Sequence, residues 1–102
     1  MSILMSSKSN PYISKVLDIS TAHVTEHDTE LLNNDDTPIV AYKYEFGHFV
    51  CINDELTIKE LLDYGYTQEF CTIVGIALEN ECSLIKLDGD GIIYQDLKTF
   101  EW

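Results

Sequence analysis

Apolar and polar positions follow two different periods along this chain, and the changes between them mark the elements. Residues 14–20, Ser-Lys-Val-Leu-Asp-Ile-Ser, gather β-branched and apolar side chains into a short run that predicts a first strand, placed near the middle of a sheet. Thr25 has the character of a helix N-cap. Asp28 stands three residues later, and Glu26 puts negative charge in the first turn, where it suits the helix dipole. A short helix to about Asn33 follows, burying Leu31 and Leu32. After the polar loop at residues 33–38 the period changes to two at Ile39. Val40, Tyr42, Tyr44 and Phe46 then share one face and Ala41, Lys43 and Glu45 the other. Gly47 permits a turn into Phe49, Val50, Cys51 and Ile52, so the segment reads as a β-hairpin.

Thr57 and Glu60 repeat the capping spacing ahead of Ile58, Leu61 and Leu62, which predicts a second helical region interrupted at Gly65 and resumed after Thr67. Phe70, Ile73, Val74, Ala77 and Leu78 recur at helical spacing and make one buried face, with Glu69, Glu79 and Glu81 elsewhere. Leu84, Ile85 and Leu87 predict the next strand, Asp88-Gly89-Asp90-Gly91 a turn, and Ile92, Ile93 and Tyr94 a returning strand. Leu97, Phe100 and Trp102 are large enough to close the core. This order of elements gives an α+β fold: a single-layer, mostly antiparallel sheet of about five strands with two helical regions packed on one face. Residues 1–12, rich in serine and without periodicity, are expected to form a flexible N-terminal leader. Residues 13–102 are expected to form a single α+β domain, since 102 residues suffice for one core.

Charge narrows the possible partners. Asp and Glu number 18 against 6 lysines, no arginine occurs, and the formal net charge is −12. Phosphate backbones are gripped by lysine and arginine, so direct DNA or RNA binding is not expected; the field of this chain attracts basic surfaces instead. Asp35, Asp36, Asp54, Glu55, Glu79, Glu81, Asp88 and Asp90 are the acids expected to contribute to such an interaction surface. A purely solubilising role for the acidity is the plain alternative. Cys51, Cys71 and Cys82 lie in apolar segments with no C-x-x-C pair, the pattern of reduced cysteines in a cytoplasmic protein. Neither a signal-peptide core nor a run of about 18 apolar residues occurs, so no membrane association is expected.

Candidate chemistry is sparse. Ser20, His23 and Asp28 are residue types of hydrolytic triads, and Ser20 and His23 sit at a strand-to-helix junction; no G-x-S-x-G elbow exposes the serine, and a local hydrogen bond explains the histidine equally. His23 and His27 are four residues apart, a zinc-compatible spacing if both lie on one helix, and His48 would complete a set of three. Thr25, however, is expected to start the helix between the first two. Asp88-Gly89-Asp90-Gly91 lacks the remaining oxygen ligands of a calcium loop and reads as a tight turn. No phosphate-cradling loop occurs, and no cofactor is expected. Tyr42, Tyr44, Tyr64, Tyr66, Phe46 and Phe49 resemble a base-stacking platform but lack basic neighbours. A tyrosine patch rimmed by acid suits a protein interface, and plain core packing explains it as well.

Four stretches, Ser20-Thr21-Ala22-His23, Tyr44-Glu45-Phe46-Gly47-His48-Phe49-Val50, Leu87-Asp88-Gly89-Asp90-Gly91 and Leu97-Lys98-Thr99-Phe100-Glu101-Trp102, together resemble a small bacterial family, domain of unknown function 5983, over residues 15–102. Lys98 stands where that family tends to have proline, and Gly89 where it often has a basic residue. The resemblance implies a fold unit and no activity; its members' likeness to accessory cargo of plasmids and phages implies a role in defence or counter-defence. The expectation is thus a non-enzymatic acidic interaction protein, of the mobile-element-encoded inhibitor type that engages a basic nucleic-acid-binding partner as anti-restriction or anti-CRISPR proteins do. Two alternatives remain beside it: a small metal-binding protein or hydrolase centred on His23, and an immunity or scaffold subunit that forms a homodimer through the hairpin edge.

Overall fold

A computed structural model describes residues 14–102; the expected leader at 1–12 and the start of ordered structure at Ile13 lie outside them. The elements are β1 (Val16–Ser20), a 3-10 turn (Thr21–His23), α1 (Glu26–Leu32), β2 (Ala41–Tyr44), β3 (Gly47–Cys51), α2 (Ile58–Tyr64), α3 (Gln68–Glu79) and β4 (Leu84–Asp88). The threonines do set the helix starts. Thr25 Oγ1 accepts from Asp28 N and Asp28 Oδ2 accepts from Thr25 N, a complete capping box; Thr57 accepts from Glu60 N and Thr67 from Phe70 N. Gly65 ends α2 at φ 122°, a conformation side chains resist.

The fold is α+β, with four strands in the order β1-β4-β3-β2. β4 pairs antiparallel with β3, β3 antiparallel with β2, and β1 parallel with β4. Two expectations need correction. The first strand is an edge strand and not a middle one, because its single strand partner is β4. Residues 92–94 form no fifth strand, and the topology gives the reason: β4 has β1 on one side and β3 on the other, so a chain returning from β4 finds no free edge beside it. Instead it turns at Asp88, whose Oδ1 accepts from Asp90 N (2.7 Å), and crosses to β1, where Ser20 N donates to Ile92 O (2.9 Å). Gly91 makes that crossing possible, since a Cβ there would lie 2.5 Å from Ile19 O.

Alternation divides the sheet. Ile19, Val50, Ile85 and Leu87 are buried against the helices, with Phe70, Ile73, Val74 and Ala77 of α3 at the centre of the core. Burial of a ring such as Phe70, which stacks on Tyr66 with centroids 4.5 Å apart, contributes about 1.5–3 kcal/mol. Asp18, Phe49 and Lys86, on alternate positions, line a surface cleft on the opposite face of the sheet. All three cysteines are free, and no helix of the described residues is long and apolar enough to cross a membrane.

Candidate functional site

Ser20, His23 and Asp28 are each held in hydrogen bonds within the chain. Ser20 caps the 3-10 turn, its Oγ accepting from Ala22 N (3.0 Å), and is buried. His23 is 1% exposed. Its Nδ1–H donates to Lys98 O (2.8 Å) and its Nε2 accepts from Tyr94 N (2.9 Å), so neither nitrogen keeps a lone pair for a metal or a substrate proton. Phe100 N donates to Ala22 O (2.7 Å) and Trp102 Nε1 to Val24 O (3.0 Å), which completes a clasp between the 3-10 turn and the C-terminal segment. Asp28 does not join them. Fully buried, its carboxylate accepts from Thr25 N and Oγ1 and from Thr67 N (2.9 Å) and Oγ1 (2.7 Å), tying the N-cap of α1 to that of α3.

The histidine set is dispersed as well. His27 is exposed on α1, and His48 is buried on β3, where Nε2–H donates to Asn33 Oδ1 (2.9 Å) and Nδ1 is left without a partner. Burial, reinforced by Lys43, pushes His48 below its ordinary pKa and keeps it neutral. Among the described residues no cluster of His, Cys, Asp or Glu has a metal-binding arrangement.

The eight acids of the expected interaction surface fall in separate places. Asp54 and Glu81 line one cleft, beside Asn53 and Cys82. Asp35 lines another beside β2, while Asp36 accepts from Tyr64 OH. Glu55 and Glu79 are exposed. Asp88 is 9% exposed, and both of its oxygens already accept hydrogen bonds. The tyrosines divide too. Tyr64 and Tyr66 stack on one another and anchor the loop before β2, Tyr66 through Thr37 (2.6 Å), whereas Tyr42 and Tyr44 lie on the open sheet face with Phe49.

That open face is the strongest candidate site. Tyr44 stacks on Phe49 (4.6 Å) and meets Phe46 edge-on (6.1 Å). Tyr42 and Phe46 stay 63% and 55% exposed. Tyr44, Phe46 and Phe49 with Asp18, Lys86, Asp88, Asp90 and Gly91 line a cleft of about 440 Å³. Tyr44 OH donates to Asp88 Oδ2 (2.5 Å). Burial raises the Tyr44 phenol to about 12, helped by that bond and by the charges of Asp88 and Asp18; the same bond, with the one from Asp90 N, holds the Asp88 carboxyl below its ordinary value. Lys86 Nζ stands 4.0 Å from Asp88 Oδ2. Asp18 Oδ1 is buried with no hydrogen-bond partner. The arrangement holds an aromatic wall beside carboxylates. Carboxylates beside aromatic faces are groups that attract positive charge.

A model described as "Family of unknown function (DUF5983) C-terminal domain" matches residues 16–102. The chain belongs to this family. No curated protein and no solved structure matches it. The four stretches that carry the sequence resemblance meet in two pairs in the fold. Ser20 to His23 receives the clasp from Lys98, Phe100 and Trp102; the segment from Tyr44 to Gly47 meets Asp88 and Gly89 through the Tyr44 bond and through Gly89 N donating to Phe46 O (2.9 Å). Gly47 is required there because a Cβ would lie 1.9 Å from Leu87 O. The first pair is a structural junction. The second builds the wall of the open cleft, whose aromatic residues and Asp88 and Asp90 the sequence singled out for an interface; Asp18 and Lys86 carried no local signal, because they reach the cleft through strand pairing.

Proposed function

We propose that this domain is a non-enzymatic interaction module that docks a basic protein segment on the open face of its sheet. The observation that carries the reading is the aromatic set of the open face, exposed Tyr42 and Phe46 with partly buried Tyr44 and Phe49, standing beside Asp18, Asp88 and Asp90 on a chain of net charge −12. Tyrosine and phenylalanine supply rigid contact area, and the surrounding field steers cationic partners to it. A basic nucleic-acid-binding protein is the partner class this chemistry fits, and the biological consequence in this reading is inhibition of nucleic-acid binding, in the manner of anti-restriction or anti-CRISPR proteins. The remaining acids, Asp35, Asp36, Asp54, Glu55, Glu79 and Glu81, contribute long-range attraction rather than one continuous stripe.

The test uses an arginine-rich synthetic peptide bound to a DNA duplex. Added domain should release the duplex at low salt, with weaker release at about 0.15 M salt, where the screening length is about 8 Å. Phe46→Ala should impair release without unfolding the domain. Retention of the duplex at every salt concentration, or a gel shift showing the isolated domain bound to DNA, overturns the proposal.

A homodimer through β2 (Ala41–Tyr44) is a separate proposal, favoured by one observation: β2 is an edge of the sheet with one side unpaired by another strand. Light scattering decides it, and a monomer across the working concentration range ends it.

A further inference from the structure

The cleft on the open face already contains one cation of its own, and that cation fits it poorly. Lys86 Nζ sits at the 4.0 Å limit of an ion pair with Asp88 Oδ2, while Asp18 Oδ1, opposite Lys86 in the β1–β4 register, is left with no hydrogen bond. An ammonium is a point charge with no preferred plane. A guanidinium is flat, stacks on aromatic rings and presents a fork of donors that matches carboxylates. The wall formed by Tyr44, Phe46 and Phe49 and the unpartnered oxygen of Asp18, with Asp90 also lining the cleft, offers both halves of that match within about 440 Å³. These 102 residues contain no arginine, so such a group comes from outside them.

We propose that this cleft seats an arginine side chain of a basic protein segment, which displaces Lys86 and uses Asp18 as its principal carboxylate partner. The inference rests on the reading of the open face as a docking surface and adds the residue it selects. Lys86 thereby acts as an internal competitor that sets a threshold for binding.

Two synthetic peptides of equal length, one with four arginines and one with four lysines, test it by calorimetric titration against the full chain and its variants. The arginine peptide is expected to bind at least about fivefold tighter than the lysine peptide. Lys86→Met should raise arginine-peptide affinity about tenfold, whereas Lys59→Met, which changes net charge equally on the remote helix α2, should raise it no more than about twofold. Asp18→Asn should lower it about tenfold while circular dichroism and the urea midpoint show an intact fold. Equal affinity for the two peptides, or equal effects of Lys86→Met and Lys59→Met, overturns the arginine cleft and leaves the docking face standing. Failure of both peptides to bind at low salt overturns the two together.

Discussion

Both ring nitrogens of His23 are bonded to backbone, whereas Asp18, on the strand that leads to the same junction, keeps a buried carboxylate oxygen with no partner. The clasp around His23 and the open sheet face therefore use reactive residue types to opposite ends. In the clasp, and in the Asp28 bridge between α1 and α3, polar groups are saturated by the chain itself, and their chemistry is spent on holding the fold. On the open face Tyr42 and Phe46 are exposed and one oxygen of Asp18 has no partner, the features on which the docking proposal rests.

Variants on the saturated side should carry the largest stability costs. Asp28→Ala strands the Thr25 and Thr67 amides in the interior, with an expected loss of about 4 kcal/mol in urea denaturation. His23→Ala frees the C-terminal clasp and leaves a cavity, at about 3 kcal/mol; near-native stability would mean that the clasp does not hold the fold and would reopen His23 to other roles. On the open face, Tyr44→Phe should cost only about 1 kcal/mol, because it removes one bond to Asp88. Its second signature is in pH. Tyr44 and Tyr66, both raised to about 12 chiefly by burial, are protonated in the fold where the unfolded chain is already ionised; stability should therefore hold below pH 10 and fall as pH rises from 10 to 12. Tyr44→Phe should flatten part of that fall.

Acid loss should come in two stages with the opposite sense. His48, depressed by burial, contributes stability above its unfolded pKa near 6.5 and loses it as pH drops. Asp88, depressed by Tyr44 and the Asp90 amide, contributes above about 3.8 and loses it at lower pH. His48→Gln should remove the first stage of an acid titration followed by circular dichroism. The smallest stability change belongs to Phe46→Ala, within about 0.5 kcal/mol because the ring is exposed, yet it should give a clear loss of peptide binding. A stability cost comparable to that of His23→Ala would erase the distinction between the two regions.

Much of the local structure was legible in the chain. Thr25, Thr57 and Thr67 announced the helix starts and Gly65 a stop, because capping depends on neighbours three residues apart. The hairpin at Ala41–Tyr44 and Gly47–Cys51 was legible from alternation, and membership of the family from four short stretches. The strand expected at residues 92–94 had the right composition and the wrong surroundings, since β4 was already flanked on both edges. The hydrogen-bond partners of the candidate triad were illegible for a similar reason. Ser20, His23 and Asp28 are close in sequence, yet their partners are Ala22, the segment from Tyr94 to Lys98, and Thr67.

Sequence alone determined the acidity, the absence of arginine, the helix caps and the alternation that gives the sheet two unlike faces. These follow from composition and from contacts within a few residues. Tertiary structure decided which polar groups are saturated and which are not, because Asp18, Tyr44, Lys86 and Asp88 are brought together by strand order, and strand order depends on long-range pairing that no local pattern encodes.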